Sequence, residues 1–335
     1  MKKLNNYSNK VVIYPSISKD GIGTYIESLK RHLNFNTVKS ELSVLSIRLF
    51  FRKLNFKNKI LHVPNFYVPF FTHNNTVITT VQDVIPIFKI SGYNIFERVY
   101  FYFRISFSIW KSDFIIFTSN STKMDVEKWF LFLPQSTIIP LAPSEVLTSA
   151  QIKFTEYPFQ YIFSVGRRRY HKNTHGLIKS LKIVRESHDI HLLFSGTKTD
   201  EDLKYMQLAR ELGVEEYVHF TGFLDDVDLA AHYRSASSLV FPSLHEGFGL
   251  PILEAMSLDC PVVTSNTSSM PEISGDASVL VDPFNINAIA NAICEVHDNK
   301  ELRNHLISKG QANIKNYNWY TSAHLTSEVY DKFNE

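Results

Sequence analysis

Two glutamates, Glu246 and Glu254, stand eight positions apart in the run FPSLHEGFGLPILEAMSLDCPVVTSN, residues 241–266. Between them lie Gly247, Phe248, Gly249, Leu250 and Pro251. A chain with 12 glycines has set two of them beside a carboxylate and directly before a helical pattern. Proline suits a first helical position, where its missing N–H costs nothing. A helix start offers free N–H groups and a partial positive charge, which fits phosphate, and glycine lets a ligand approach the backbone closely. Glu254, read as part of the first turn, can accept hydrogen bonds from two neighbouring hydroxyls such as a ribose diol. Glu246 in the loop can do the same for a sugar. Phosphate cradle, diol acceptor and second carboxylate together describe a nucleotide-sugar site. On spacing alone, the same two glutamates could equally cap and solubilise a helix start.

Other motifs carry less by themselves. GRRRYHKN, residues 166–173, reads either as a phosphate-binding basic turn or as a solvated one. Gly21 and Gly23 in KDGIGTY follow a strand and open a helix, but G-x-G marks any tight strand–helix turn. Asp226-Val227-Asp228 has the form of a metal-binding D-x-D, yet it sits between a strand and a helix, where aspartate is an ordinary capping residue. His171, His175, His188 and His191 are close in sequence but straddle helix and strand faces, so no metal site is expected from them.

The elements that must hold these residues are short apolar, β-branched runs with helical patterns between them. Strands are expected at 11–15, 42–47, 60–64, 76–81, 114–119 and 137–140, and again at 161–166, 191–196, 218–223, 238–243, 261–265 and 278–282. Two such sets imply an α/β chain with two doubly wound, Rossmann-like domains, each a parallel sheet covered on both faces. Residues 141–158, with weak periodicity and two prolines, suit a linker. FERVYFYFRISFSIWK, residues 96–111, is too short to span a bilayer and reads as a buried helix, with Glu97, Arg104, Ser108 and Lys111 on one stripe.

Composition narrows the class. With 44% apolar and 20% charged residues the chain is globular,. A net charge of +2 gives no basic field for nucleic acid,. Cys260 and Cys294 form no disulfide framework, and MKKLNNYSNK lacks the apolar core of a signal peptide. Charge is nevertheless uneven: residues 1–60 hold 12 Lys/Arg against 3 Asp/Glu. Inside this part, residues 48–59, RLFFRKLNFKNK, interleave aromatics with cations, a pattern that suits either an anionic bilayer surface or a solvated basic face with its aromatics in the core,. The expected location is cytoplasmic, peripheral on the inner face of the membrane.

With these residues in view, EGFGLPILEA resembles the E-x7-E motif of the retaining GT-B glycosyltransferases of family 4, the glycosyl transferases group 1. The likeness continues through CPVVTSNTSSMPEISGDASVLVDP (260–283), FTGFLDDVDLAAHYRSASSLVFPS (220–243), YIFSVGRRRYHKN (161–173) and YNWYTSAHLTSEVYDKF (317–333), and is thinner in DGIGTYIESL, TVQDVIP and FTSNSTKMDV. It implies a GT-B architecture: two domains, 1–150 on the acceptor side and 151–315 for the nucleotide sugar, facing a central cleft, with a closing helix in 316–335 that crosses back to the first. Glu254 matches the glutamate that holds the nucleotide ribose. Glu246 matches the one beside the reacting carbon and is the catalytic candidate. Gly247, Phe248, Gly249 and Leu250 match the backbone run around the donor, Arg167 and Lys172 the basic pair on the diphosphate, and Gly21 and Gly23 the first-domain glycine loop. Where the family often has His-Asp, this chain has Gln82-Asp83. Gln82 can hydrogen-bond a donor hydroxyl but cannot titrate, and Asp83 is left as an acceptor contact.

The implied reaction moves a hexose, mannose from GDP-mannose being the leading choice, to a saccharide or lipid-linked saccharide in surface polysaccharide or lipopolysaccharide synthesis. The implied transfer retains configuration and needs no metal or cofactor. A nucleotide-sugar isomerase, a phosphorylase, or a non-catalytic nucleotide-sugar-binding module on the same fold remains open.

Overall fold

Apolar runs of four to six residues, too short for helices, become the strands of two parallel sheets. The structure, a computed structural model, describes residues 4–8, 10–16, 21–39, 50–51, 57, 59–149 and 153–333. It divides into two compact units. Unit 1 comprises Met1–Phe88, Tyr93–Ala142 and Tyr317–Glu335; unit 2 comprises Lys89–Gly92 and Pro143–Asn316. The chain thus passes into unit 2 before the linker expected at 141–158 has ended, and its last helix returns to unit 1.

Unit 1 holds strands β1 (Val11–Ser16), β2 (Asn36–Lys39), β3 (Ile60–Val63), β4 (Thr76–Val81), β5 (Phe114–Phe117) and β6 (Gln135–Ile138), paired in the order β2-β1-β3-β4-β5-β6. Every pair is parallel, so each crossover must climb back over a face, and helices Gly21–His32, Ile95–Lys111 and Asn120–Trp129 do so,. The core joins Leu61, Val63, Val77, Val81, Ile105, Ile109, Ile115 and Phe117. β2 was not anticipated. It is an edge strand, and its sequence, Asn-Thr-Val-Lys, buries too little to carry an apolar signal,. The strand expected at 42–47 lies outside the described residues, as does most of the basic stretch 48–59.

Helix Ile95–Lys111 departs from its expected burial. A capping box between Asn94 and Glu97 starts it,. Its inward side carries Phe101, Ile105 and Ile109 but also Arg104 and Ser108, while Phe96 and Trp110 face out at 84% and 73% exposure. The polar residues go inside because the core has work for them: Ser108 Oγ donates to Phe66 O at 2.7 Å, and the Arg104 guanidinium lies 4.3 Å over the Phe50 ring. No helix among the described residues is long and apolar enough to cross a membrane.

The last helix, Trp319–Asp331, is capped by Asn318 and buries Trp319 and Tyr330 in unit 1. Tyr330 Oη lies 2.6 Å from Nδ1 of the fully buried His62, whose Nε2 lies 2.7 Å from Thr80 Oγ1. Burial pushes the His62 imidazole down to about 3, so it stays neutral. Tyr7 adds a hydrogen bond from its hydroxyl to Asp331 Oδ1 at 2.8 Å.

Unit 2 holds β7 (Gln160–Val165), β8 (Ile190–Ser195), β9 (Val218–Gly222), β10 (Ser238–Phe241), β11 (Val262–Ser265) and β12 (Val279–Val281) in the order β9-β8-β7-β10-β11-β12. These six strands fall within a residue or two of the expected runs. Counted from its own first strand, the order is 3-2-1-4-5-6, the doubly wound order of dinucleotide-binding sheets. Its core unites Ile162, Leu177, Leu192, Phe194, Val240, Val263, Ile289 and Ile293. The direction of winding reverses between β7 and β10, so the loops that leave their carboxyl ends part to opposite faces and open a crevice there.

Candidate active site

The two loops at that reversal carry the residues singled out by their chemistry. After β7 the chain turns at Gly166, whose φ of 118° excludes a side chain at low cost,. It then passes through a short 3-10 turn, Tyr170–Lys172. Asn173 follows in the left-handed region at φ 56° and starts helix Thr174–Val184. Its buried amide donates to Pro242 O at 3.1 Å and to Pro283 O at 2.7 Å, tying this turn to the loops after β10 and β12. Leu244 N donates to His171 O at 2.7 Å and adds a second stitch.

The loop after β10 is held from its other side. Glu246 N donates to Ser268 Oγ at 2.9 Å, and Ser269 Oγ donates to Glu246 O at 3.0 Å and Phe248 O at 2.7 Å. Gly249, at φ 107°, then starts helix Leu250–Ser257. That helix begins one residue earlier than the sequence suggested, so Pro251 is its second residue. Glu254, its fifth, therefore lies past the first turn instead of within it. Phe248 is buried, so the loop can offer a ligand its backbone there but not the Phe248 ring.

Charge is concentrated between these loops. Lys172 Nζ and Glu246 Oε1 are 2.7 Å apart, and Lys172 also lies 4.7 Å over the Phe241 ring. Glu246 is only 8% exposed. Burial, the largest single influence, would raise its carboxyl, but Lys172, His171 and the Ser243 hydroxyl together outweigh it and hold the carboxyl below the usual range,. His171 is driven the other way: burial lowers it to about 4, so it is neutral near pH 7. Glu254 keeps an edge open to solvent, yet its surroundings push its carboxyl up to about 7. Burial is the main cause and Asp226 adds to it, while Tyr233 and Lys172 pull it down. One cation, one firmly ionised carboxylate and one carboxylate poised to ionise thus share the carboxyl end of one sheet.

The remaining expected residues fall as follows. Arg167 is exposed on the turn after β7, whereas Arg168 points inward at 4% exposure. Arg168 forms a forked pair with Asp202, Nε–Oδ1 2.7 Å and Nη2–Oδ2 2.8 Å, and donates to Thr197 O at 2.9 Å. Three consecutive arginines gave no signal for which one turns in. In unit 1, Gly21 and Gly23 open helix Gly21–His32, and Gln82 and Asp83 follow β4 at its carboxyl end. Gln82 O accepts from Thr118 Oγ1 and Thr122 Oγ1, both at 3.1 Å, and Asp83 Oδ1 accepts from Ile85 N at 3.0 Å. Asp226 and Asp228 lie in the first turn of helix Asp226–Ser235, which Asp225 caps by accepting from Asp228 N at 2.9 Å. One residue of the site was missed. Tyr233, on the same helix, is fully buried and donates from its hydroxyl to Glu254 Oε2 at 2.8 Å.

Comparison with known proteins identifies the family and the fold. The family described as glycosyl transferases group 1 matches residues 151–313, which takes in every unit 2 residue discussed above. Across 290 residues the chain is 30% identical to O-antigen chain mannosyltransferase B of Escherichia coli, an alignment covering 82% of this chain and 75% of the relative. Among solved structures, sucrose-phosphate synthase from Thermosynechococcus elongatus superposes with a TM-score of 0.76 at 16% identity over 99% of both chains. WaaG, a glycosyltransferase involved in lipopolysaccharide biosynthesis, does so with a TM-score of 0.73 at 16% identity, over 96% of this chain and 99% of its own.

Proposed function

The chain belongs to the glycosyl transferases group 1 and is a glycosyltransferase of GT-B fold, and from that premise we propose that it is a retaining, metal-independent mannosyltransferase. Its donor is GDP-mannose, and its acceptor is a saccharide carried on a lipid in surface-polysaccharide or lipopolysaccharide synthesis. The mannosyltransferase name of the relative in Escherichia coli supports the sugar, and its O-antigen name supports the acceptor. The cation-rich, aromatic stretch 48–59 supports work at an anionic membrane surface on the cytoplasmic side,.

The observation that carries the reading is the 2.7 Å pair of Lys172 with Glu246 at the reversal point of unit 2, with Glu254 on the short helix that follows. In this proposal Glu254 accepts from the ribose hydroxyls. Gly247 to Leu250 present backbone to the diphosphate, and Lys172 with Arg167 neutralises it. As the bond from the anomeric carbon to the diphosphate oxygen breaks, the leaving group takes the electron pair and its charge grows. A fixed cation and a helix start stabilise that charge without rearrangement. The acceptor oxygen bonds to the anomeric carbon on the face the diphosphate leaves, and the acceptor proton passes to the departing phosphate oxygen. Glu246 orients the sugar and stabilises positive charge at the ring. It is not assigned as a nucleophile.

The test is to offer GDP-mannose, GDP-glucose and UDP-glucose with a lipid-linked saccharide extract and to analyse the product by NMR. The proposal predicts an α-mannoside from GDP-mannose. A β-mannoside, a free epimer or a sugar phosphate would overturn it.

A further inference from the structure

The carboxylate of Glu254 is engaged by a buried phenol, that of Tyr233. Tyr233 comes from helix Asp226–Ser235 and reaches Glu254, the fifth residue of helix Leu250–Ser257. Its ring meets Phe163 of β7 edge-on at 5.2 Å and 86°, so packing fixes where its hydroxyl points. The hydroxyl is sealed from water, and burial raises it well above its ordinary range, so it stays protonated and keeps a proton to donate to the carboxylate. A tyrosine held in this way selects one carboxylate rotamer of Glu254. The charged and titratable neighbours of that carboxylate are Asp226 and Tyr233 on the facing helix and Lys172 on the turn after β7.

We propose that Tyr233 is a positioning residue for nucleotide binding: its hydroxyl occupies one oxygen of Glu254, fixes the carboxylate plane and keeps it anionic, so that the other oxygen meets the nucleotide ribose. The inference rests on the assignment of Glu254 to the ribose and adds to it how that carboxylate is made competent. A hydrogen bond given to the anion favours ionisation. Without it, burial and Asp226 act with less opposition, and the carboxyl stays protonated to higher pH. A neutral acid is the weaker acceptor for a diol, so affinity is lost as pH falls through the titration of Glu254.

The experiment titrates GDP, with UDP as a second probe, against the full chain and its variants from pH 5.5 to 9. Tyr233→Phe keeps the ring and removes only the hydroxyl. The acid limb of nucleotide affinity moves up by about one pH unit, the usual effect of one hydrogen bond to a charged group. The dissociation constant rises about tenfold at pH 6.5 and less than about threefold at pH 9. Asp226→Asn moves the same limb down, and Glu254→Gln weakens binding and abolishes the limb. A purely structural tyrosine would lower thermal stability and leave the limb in place, and that result would overturn the inference alone. If Glu254→Gln binds nucleotide as the parent does, the ribose assignment itself fails. Should Tyr233→Phe prove unstable, Tyr233→Trp in a nucleotide-stabilised preparation supplies the second removal of the hydroxyl, judged by the same limb.

Discussion

The two units wind their sheets in almost the same way and end them in very different chemistry. At the carboxyl ends of unit 2, Lys172, Glu246 and Glu254 are gathered on loops that buried polar groups pin from several sides: Asn173 through Pro242 and Pro283, Ser269 through Glu246 and Phe248, and Arg168 through Asp202. At the carboxyl end of β4 in unit 1 stand Gln82, which cannot titrate, and Asp83, whose carboxylate accepts from Ile85 N. The buried polar groups of unit 1 lie within its body, where His62 links Thr80 to Tyr330 of the last helix. Unit 2 spends its hydrogen bonds on fixing charge, and unit 1 spends them on holding its own C-terminal helix. Electrostatic stabilisation of a leaving group needs preorganised charge, and the proposed function accordingly assigns the donor to unit 2.

The comparison can be broken most sharply at Glu246. Glu246→Ala should lower turnover by about 10²–10³-fold, the scale for removing one preorganised electrostatic group, with circular dichroism unchanged. Turnover within about threefold of the parent would take Glu246 out of the chemistry. Lys172→Met comes next, with a loss of about 10²-fold, and it has a pH signature. Lys172 is the strongest of the groups that hold the Glu246 carboxyl low against burial. Without it burial prevails, and the acid limb of kcat/KM moves to higher pH. An unmoved limb would separate Lys172 from Glu246.

In unit 1 the expected changes are to stability. Tyr330→Phe leaves His62 Nδ1 without the partner the structure gives it, at a cost of about 1–3 kcal/mol, or roughly 3–10 °C in Tm. Nucleotide affinity should not change. The His62 imidazole is depressed to about 3, so the unfolded chain binds a proton that the folded chain refuses once pH drops below about 6.5,. Unit 1 therefore loses stability as pH falls from about 6.5 toward 3, and a flat stability profile over that range would contradict the assignment. The smallest effect is expected at Gln82→His. If glutamine serves only as a hydrogen-bonding group, kcat should change by less than about threefold. A large gain would show that the missing titratable group had limited the enzyme.

What could be read from the sequence follows the same divide. The unit 2 strands were legible because each is a continuous apolar run buried on both faces, and Glu246 and Glu254 were legible because glycine and proline surround them. β2 was not, since an edge strand with one apolar residue carries no pattern. Helix Ile95–Lys111 was misjudged because apolar content was taken for burial. Tertiary partners, Phe66 for Ser108 and Phe50 for Arg104, drew polar residues inward and left aromatics outside. Tyr233 passed unnoticed among small and polar neighbours, as nothing local says that its hydroxyl meets a carboxylate 21 positions on. His62, a lone histidine in an apolar strand, was a visible signal that was not used.

The central claim is that Glu254 holds the ribose of the nucleotide donor. It is tested most directly by calorimetric titration of GDP and of 2′,3′-dideoxy-GDP against the parent and Glu254→Gln at pH 8, where the carboxylate is ionised. The account predicts that the parent binds the dideoxy nucleotide at least about tenfold more weakly, as expected for two hydroxyls that lose a charged acceptor. It also predicts that Glu254→Gln largely erases the difference. Equal affinity of the parent for the two nucleotides, or a difference that survives in Glu254→Gln, would contradict it.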